Sequence, residues 1–496
     1  MEVLSFVLYF LLMLGVGVFF FVRSKGNNEK DYFLGGRKMG PWVTAMSAQA
    51  SDMSAWLLMG LPGSVLAFGF GEAWIGIGLA LGTALNWIFV AKRLRCFSKA
   101  ANDSITLPQY LSNRFASEGK ILQIVCAVIF LVFFTVYVAS GFVAGASVFH
   151  ELFPSLETGT AMLIFAVIII LYTFLGGFNA VCWTDFFQGL LMLVALLAVP
   201  ITIVATQNPD ASVLSEVYTG PDGTSYKFVA NFFNAEWTDI VSGLAWGLGY
   251  FGMPHILVRF MSIKKPSMIK KSATVAIIWV VISLACTIVI AYYGRMIVGE
   301  ELLVDGQQKM VFVRLARKLF TPFVSGILLA AIMAASMSTA DSQLLVASSS
   351  FTSDIYKPII RKNASEKEIL WVGRFVVLAV SVVAYFIASS KGEGAQAIMN
   401  MVENAWAGFG ASFGPVVILS LFWKRLTYKG TCAGVVSGAV VDVVWLLTLS
   451  KSTGIYEILP AFIVGFVVAV VVSLCDKKPS DKVLAIYDKA TSPDCD

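Results

Sequence analysis

The chain has 496 residues, of which 58% are hydrophobic and 14% are charged. Soluble globular proteins carry about 25% charged residues, so this composition excludes a soluble enzyme or binding domain and predicts a polytopic membrane protein in a lipid bilayer. The net charge of +5 does not indicate a nucleic-acid partner, because basic residues of membrane proteins mostly mark cytoplasmic loops.

Apolar stretches recur along the chain, and about 20 such residues are enough to cross the hydrocarbon core. We predict an all-α fold with about 13 transmembrane helices, over residues 2–22, 42–70, 72–91, 121–149, 159–177, 184–206, 238–260, 272–294, 322–350, 367–389, 399–423, 429–449 and 455–475. The first stretch lacks a basic n-region and a small-residue cleavage site, so we expect a retained span and not a signal peptide.

The orientation follows from the basic residues. An outside N-terminus and a cytoplasmic C-terminus place most of the 36 lysines and arginines in cytoplasmic loops, as multi-pass proteins of the plasma (inner) membrane prefer. The basic segment 295–318 weakens this asymmetry, and we expect it to form a short surface helix. The polar loop 207–237 then lies outside and the short tail 476–496 inside, so we expect no soluble enzymatic or signalling domain.

The second span contains the stretch ASDMSAWLLMGLPGS at residues 50–64, which carries a carboxylate, Asp52, near its middle. A charge at that depth costs several kcal/mol unless it faces a cavity or a partner. Backbone leaves helical geometry in a membrane only where protein or water satisfies it. The hydroxyls and helix-breaking residues nearby favour a broken helix lining a polar site over an ordinary span with a buried Asp: Ser47, Ser51, Ser54, Gly60, Pro62 and Gly63.

The seventh span is also interrupted, because Gly247, Gly249, Gly252 and Pro254 fall within eight residues of one another. Disrupted helices at matching positions of two halves point to a transporter site built from inverted repeats. We therefore predict a five-plus-five inverted-repeat transporter core. Its parts are a first helix and loop (1–41), repeat one with helices 2–6 (42–206), an outer loop (207–237), repeat two with helices 7–11 (238–423), helices 12–13 (424–475) and the tail (476–496).

The ninth span is rich in small residues, which are typical of close helix packing. Packing does not account for Ser338, Thr339, Asp341 and Ser342 within five positions. Their hydroxyls, together with carbonyls freed in the second span at Ala50 and Met53, would suit a hard cation, which takes oxygen ligands.

Asp185, at the start of the sixth span, allows two interpretations. It caps the helix N-terminus, which is a common structural role, or it joins Asp341 and Ser342 in a second cation site.

The solute site is constrained by the lack of Lys and Arg in the middle of any predicted span. An anionic group would need backbone N–H groups, hydroxyls or a bound cation, and an ammonium group would be held by aromatic faces. Trp56, Tyr137, Trp246 and Tyr250 are candidates, although aromatic residues in spans often face lipid or the core. These features suit a small zwitterion with an apolar body.

Several motifs resemble those of the sodium:solute symporter family, and of its proline-transporting branch in particular. They cover almost the whole chain up to the last helix: DYFLGGR (31–37), ASDMSAWLLMGLPG (50–63), YTFLGGF (172–178), WTD (183–185), WGLGYFGMPHIL.RFM (246–261), MST..SQLL (337–345) and AWAGFGASFGPVV (405–417).

The resemblance implies uptake of L-proline driven by Na+ through alternating access. It implies a sodium site formed by Ala50, Met53, Ala335, Ser338 and Thr339. It implies a proline pocket near Ser54, Trp56, Tyr137, Trp246, Tyr250 and Pro254. It also implies that Arg37 and Asp52 act in sodium coupling and that His255 and Arg259 line the inward path. Asp341 departs from the family pattern, where a small polar residue is expected, and this leaves the ion-to-solute ratio open.

Two other functions remain as alternatives. One is sodium-coupled transport of a different small solute, such as another amino acid or pantothenate, and the other is a solute-binding membrane sensor. We expect no enzyme, because no nucleophile–base pair or metal cluster stands out. The seven cysteines form no CxxC pair and the chain has two histidines, so we expect neither a disulfide framework nor a histidine-ligated metal.

Overall fold

The structure is a computed structural model that describes residues 1–496 except 24–27, 117–118, 176, 215–216, 221–222, 305, 392–394, 493–494 and 496. Parts of the predicted first loop, outer loop and tail, and one residue of the YTFLGGF motif, therefore lie outside the described residues. The helices are α1 (Glu2–Arg23), α2 (Glu29–Leu34), α3 (Pro41–Asp52), α4 (Gly60–Phe68), α5 (Phe70–Leu85), α6 (Ala91–Ala100), α7 (Leu107–Arg114), α8 (Ile121–Leu152), α9 (Thr158–Leu175), α10 (Phe178–Thr206), α11 (Trp237–Ala245), α12 (Pro254–Ser262), α13 (Ile269–Val298), α14 (Val311–Leu319), α15 (Pro322–Ser350), α16 (Glu366–Lys391), α17 (Ala395–Phe422), α18 (Tyr428–Thr448), α19 (Ser450–Thr453), α20 (Ile458–Cys475) and α21 (Asp481–Thr491).

Membrane-spanning helices dominate this fold. Within the described ranges, 10 helices are long and apolar enough to cross a membrane, or up to 11 if the bent pair Trp237–Phe251 and Pro254–Ser262 is one span. Two shorter apolar helices, Ala55–Phe68 and Thr158–Leu171, coincide with the predicted second and fifth spans. The predicted class, an all-helical polytopic membrane protein, is confirmed.

The two ends of the bundle differ in structure. At one end, β1 (Val217–Thr219) pairs antiparallel with β2 (Ser225–Lys227), and we call this end the hairpin face. The turn between α4 and α5 joins the same face, because Phe70 N–H donates to Val229 O at 2.8 Å. The opposite end carries Arg37, Arg114 and many other basic residues, and we call it the basic face.

The first break lies between α3 and α4. The helix ends at Asp52, a short 3-10 turn follows at Ala55–Leu57, and the helix resumes at Gly60. The break lies within the predicted stretch 50–64, and its irregular segment precedes Gly60, Pro62 and Gly63, which all belong to α4. Pro62 lies in the first turn of α4, where proline is tolerated because its missing N–H would have no helical acceptor.

The second break separates α11 from α12. Residues Trp246–Phe251 form a 3-10 segment, and the two helices are bent by 44°. Glycines allow this segment to pack directly on α5. A Cβ atom added to Gly82 would lie only 2.3 Å from Gly247 O, so no side chain fits between them. A Cβ at Gly78 would lie 2.2 Å from Gly243 O, so backbone meets backbone at two successive turns.

The C-terminal tail forms a helix, α21, which the sequence analysis does not predict. It packs on α6 and α7, where the Arg114 guanidinium lies 5.1 Å from the Tyr487 ring and donates to Val483 O at 3.2 Å. This packing brings Cys495 beside Cys96, and the two form a disulfide. The expectation of no disulfide is therefore wrong for this pair, because spacing carries no information about partners 399 residues apart.

Candidate ion and solute site between two broken helices

The two breaks meet at Asp52. The Tyr250 hydroxyl, in the second break, donates to Asp52 Oδ2 at 2.6 Å, and Asp52 is 4% exposed. The carboxylate thus faces a polar partner inside the protein and not lipid, which reduces the cost of a charge at this depth. This bond makes the predicted coupling residue Asp52 a direct link between the two interrupted spans.

Carbonyl groups released from helical bonding in the breaks accept hydrogen bonds from other helices. Trp406 Nε1 donates to Trp246 O at 2.8 Å, Asn86 Nδ2 to Tyr250 O at 3.0 Å, and Thr287 Oγ1 to Leu57 O at 3.2 Å. Irregular backbone is stable at membrane depth only with such partners. Sequence reasoning missed these three donors, although Asn86 and Thr287 are isolated polar residues in apolar stretches.

The residues predicted to bind sodium converge where α3 meets α15. Ser338 Oγ lies 2.7 Å from Ala50 O, to which it donates, and 3.2 Å from Ala335 O. Met53 is the C-terminal cap that follows α3, and Thr339 Oγ1 is buried without a hydrogen-bond partner in the described part of the chain. An oxygen-rich, water-poor joint of this kind suits a hard monovalent cation.

Aromatic side chains surround the same breaks. The Trp56 and Trp246 rings stack with centroids 5.5 Å apart, and Tyr250 meets Trp406 edge-on at 5.0 Å. Trp56 Nε1 donates to Met399 Sδ at 2.9 Å. Such faces attract an ammonium group and cover an apolar ring.

The remaining predicted solute residues lie at the same place. Ser54 Oγ accepts from Trp56 N–H at 3.1 Å, and Tyr137 on α8 interacts with Ser54 and with the Asp52 charge. Pro254 begins α12 just after the second break. The structure therefore brings all six predicted solute residues to one buried region between the breaks, and adds Met399 and Trp406, which the sequence analysis missed.

A cavity of about 270 Å³ leads from the hairpin face to this region. It is lined by Ser64, Glu72, Asp239, Trp246, Met399 and Glu403 among others. On the opposite side of the region, the His255 and Arg259 side chains are fully buried. The site is thus approached from the hairpin face and closed toward the basic face.

A clamp around Arg37 holds the basic face closed. Arg37 Nε donates to Asp103 Oδ1 at 2.9 Å, its Nη2 to Ser104 O at 2.8 Å, and its Nη1 to Met261 O near the end of α12. Lys30 and Lys99 also pair with Asp103. Arg37 and Asp103 both have left-handed backbone, with φ of 55° and 50°, which the surrounding bonds must stabilise.

The charge states of the clamp favour its closure. Burial, together with the neighbouring Arg95, lowers the pKa of Arg37 to about 10, so the guanidinium is still protonated near neutral pH. Burial raises the pKa of Asp103, but Lys30, Arg37 and Lys99 outweigh it and hold that pKa below its usual value. The carboxylate is therefore ionised at every physiological pH.

Replacing Asp103 with asparagine should loosen the clamp. Ion pairs open to solvent on at least one side contribute about 0.2–1 kcal/mol each. The loss of three, about 0.6–3 kcal/mol together, should therefore raise access to the buried region roughly three- to a hundredfold. The measurement is the rate at which a membrane-impermeant maleimide labels His255→Cys from the basic face, in an otherwise cysteine-free chain. Asp31→Asn, whose pair with the exposed Lys38 spans 3.5 Å, is the control. An unchanged labelling rate in Asp103→Asn would contradict the clamp.

The structure places Arg259 among the residues predicted to bind a second cation. Asp185 Oδ2 accepts from Ser47 Oγ at 2.7 Å and pairs with Arg259 Nη2 at 3.2 Å. The alternative interpretation of Asp185 as a helix cap is wrong, because α10 begins at Phe178 and Asp185 lies two turns inside it. Ser342 Oγ donates to Asp341 Oδ1 at 3.3 Å and accepts from the same Arg259 Nη2.

Two interrupted helices that meet around buried oxygen atoms, in a bundle of membrane-spanning helices, define a secondary transporter. A model of the sodium:solute symporter family matches residues 32–438. The chain belongs to the sodium:solute symporter family, as a multi-span protein of the plasma membrane, and its coupled ion is sodium.

Curated relatives match over nearly the full length. The chain is 43% identical to a sodium/proline symporter of Haemophilus influenzae, covering 99% of this chain and 97% of the relative. It is 42% identical to a sodium/proline symporter of Escherichia coli, covering 96% of this chain and 93% of that relative.

Solved structures share the fold. A Na+-coupled sialic acid symporter in a substrate-bound outward-open state superposes with a TM-score of 0.75 at 18% identity, over 97% of this chain and 98% of that one. Mhp1, a nucleobase-cation-symport-1 family transporter in a closed conformation, superposes with a TM-score of 0.56 at 14% identity. The superposition covers 92% of this chain and 98% of that one.

Proposed function

We propose that this protein is a sodium-coupled L-proline symporter that takes up its solute by alternating access. The 42–43% identity to sodium/proline symporters over nearly the whole chain supports this solute. One structural observation carries the mechanism. The Ala50 carbonyl that meets Ser338 lies in the last turn of α3, only six residues before the Trp56 ring that stacks on Trp246 in the first break. An ion bound at one therefore orders the other.

In this proposal sodium binds to Ala50, Met53, Ala335, Ser338 and Thr339. Proline binds between Ser54, Trp56, Tyr137, Trp246, Tyr250 and Pro254, with Asp52 joining the two sites. A second cation binds at Asp185, Asp341 and Ser342. Because coupling between two ligands is reciprocal, proline tightens sodium binding by the same factor as sodium tightens proline binding.

The proposed topology has thirteen spans, with inverted repeats at 42–206 and 238–423. Helix 1 and its loop (1–41), the outer loop 207–237, helices 12–13 (424–475) and the tail (476–496) lie outside the repeats. The basic face is cytoplasmic, since basic loops stay on that side. The N-terminus is then outside and the cavity opens outward, while the Arg37 clamp closes the cytoplasmic path past His255 and Arg259.

Transport of one net charge inward gains about 2.3 kcal/mol per 100 mV of membrane potential. Symport of sodium with a zwitterion is therefore electrogenic. The direct test is uptake of labelled L-proline into proteoliposomes with and without an inward sodium gradient. Accumulation above equilibrium that requires sodium is the expected result. Uptake of another amino acid or of pantothenate instead would replace the solute, and solute binding without net flux would favour a sensor.

A further inference from the structure

Three buried charged residues on three different helices form one cluster, which we call the charge cluster: Asp185 on α10, Arg259 on α12 and Asp341 on α15. Their exposed fractions are 0%, 1% and 0%. Arg259 pairs with Asp185 at 3.2 Å, and Asp341 interacts with the charges of both other members. The cluster lies one helical turn from Ser338 along α15, and therefore close to the proposed sodium site.

The Arg259 guanidinium occupies part of the proposed second cation site. Its Nη2 contacts Asp185 Oδ2 and Ser342 Oγ, which belong to two of the three residues proposed to bind that cation. Its other nitrogens are fixed as well, since Nε donates to Ser47 Oγ at 3.1 Å and Nη1 to His255 O at 2.8 Å. A positive group of this chain is thus already held where the second ion would bind.

The charge balance of the cluster is incomplete. Two carboxylates face one guanidinium, and an uncompensated charge is costly in a water-poor interior. Asp185 Oδ1 and Asp341 Oδ2 are buried and have no hydrogen-bond partner among the residues that the structure describes. With Arg259 in place the cluster requires one further positive charge, whereas without it the cluster would require two.

We propose that Arg259 is a tethered cation that fills one of two cation positions in the charge cluster and so reduces by one the number of mobile cations bound with each solute. This proposal rests on the proposed sodium-coupled proline transport. In this proposal Arg259 helps to set the ion-to-solute ratio. This role is additional to the lining of the inward path that the family resemblance implies for it. Because Arg259 lies on α12, just after the second break, the tethered charge belongs to an interrupted helix.

The test is a series of full-length variants that changes the net charge of the cluster one unit at a time. Arg259→Gln makes the cluster one unit more negative than in the parent, and Asp185→Asn makes it one unit more positive. The double variant Asp185→Asn/Arg259→Gln returns to the parental charge, and Arg259→Lys keeps the charge while shortening the side chain. Each purified protein is saturated with proline, and bound ²²Na+ and proton uptake are measured together per transporter.

Arg259→Gln should bind one more monovalent cation per transporter than the parent and Asp185→Asn one fewer. The double variant and Arg259→Lys should match the parent. Equal cation numbers in two folded variants that differ by one charge would overturn the proposal. Sodium-stimulated proline binding identifies the folded variants. If Arg259→Gln fails this criterion, Asp185→Asn is compared with the double variant instead, because these two also differ by one charge.

The outcome is separable from the proposed function. If the parent itself shows no sodium-dependent binding of proline, then the solute or the coupling is wrong, whatever the variants do. If the parent binds proline with sodium but the cation number does not follow the cluster charge, then the proposed function stands and the tethered cation is wrong.

Discussion

Replacing Ser338 with alanine is expected to raise the sodium concentration for half-maximal proline uptake by roughly ten- to a hundredfold. The hydroxyl lies 2.7 Å from Ala50 O and 3.2 Å from Ala335 O, so it holds the broken helix against α15 at the proposed sodium site. A hydrogen bond or ligand contact to a charged group contributes about 1.5–3 kcal/mol, and 1.4 kcal/mol corresponds to about tenfold in affinity. The measurement is initial uptake rate against sodium concentration in proteoliposomes.

Ser336→Ala supplies a matched control on the same helix. Ser336 is also buried, but its hydroxyl donates to Ile332 O at 3.1 Å within α15 and not to the broken helix. Its sodium dependence should remain parental. A parental sodium dependence in Ser338→Ala would remove this residue from the sodium site, and equal shifts in both variants would indicate a general disturbance of α15.

Replacing Asp52 with asparagine is expected to lower sodium-driven proline uptake by roughly a hundredfold at limiting sodium, equivalent to ~3 kcal/mol. The substitution keeps the size of the side chain but removes a buried negative charge near Ala50 and Met53. It also replaces one acceptor oxygen, and Tyr250 currently donates to Oδ2 of this carboxylate at 2.6 Å. Both the attraction for the cation and the link between the two breaks are weakened.

Tyr250→Phe separates these two contributions. It keeps the ring against Trp406 and the Asp52 charge but removes the hydroxyl donor. A smaller loss, of about tenfold, is expected because one hydrogen bond to a charged group is removed, at the lower end of about 1.5–3 kcal/mol, while the charge remains. Comparison of sodium and proline half-saturation in both variants is the measurement. Normal sodium dependence in Asp52→Asn would exclude a coupling role for this carboxylate.

The sequence was sufficient to predict features that depend on local chemistry. A carboxylate in an apolar stretch predicts that Asp52 faces a polar interior, and the dense glycines with Pro254 predict the second break. The hydroxyls of Ser338 and Thr339 stand out because they cluster with Asp341 and Ser342 within five positions of an otherwise apolar stretch. Each of these predictions requires only the sequence of one span and no knowledge of the segments that pack against it.

Features that depend on contacts between distant segments could not be predicted in this way. The Arg259 partner of Asp185 lies 74 residues away along the chain, and the donor to Trp246 O is Trp406, 160 residues away. Residue type also does not locate the first break exactly within 50–64, because Pro62 disrupts a helix interior but fits the first turn of a new helix. Tertiary position, and not residue type, decides each of these cases.

The backbone contact between α5 and the second broken helix limits how that helix can move. Where Gly78 and Gly82 meet Gly243 and Gly247, no side chain lies between the two segments that could change rotamer and absorb a displacement. Packed interfaces of this kind shift between discrete arrangements and do not deform continuously. The α5 helix and the outer part of the second broken helix should therefore rotate as one rigid body when access alternates. The hinge for that rotation should lie at the unwound residues beyond Gly247 and at the Gly69 turn before α5.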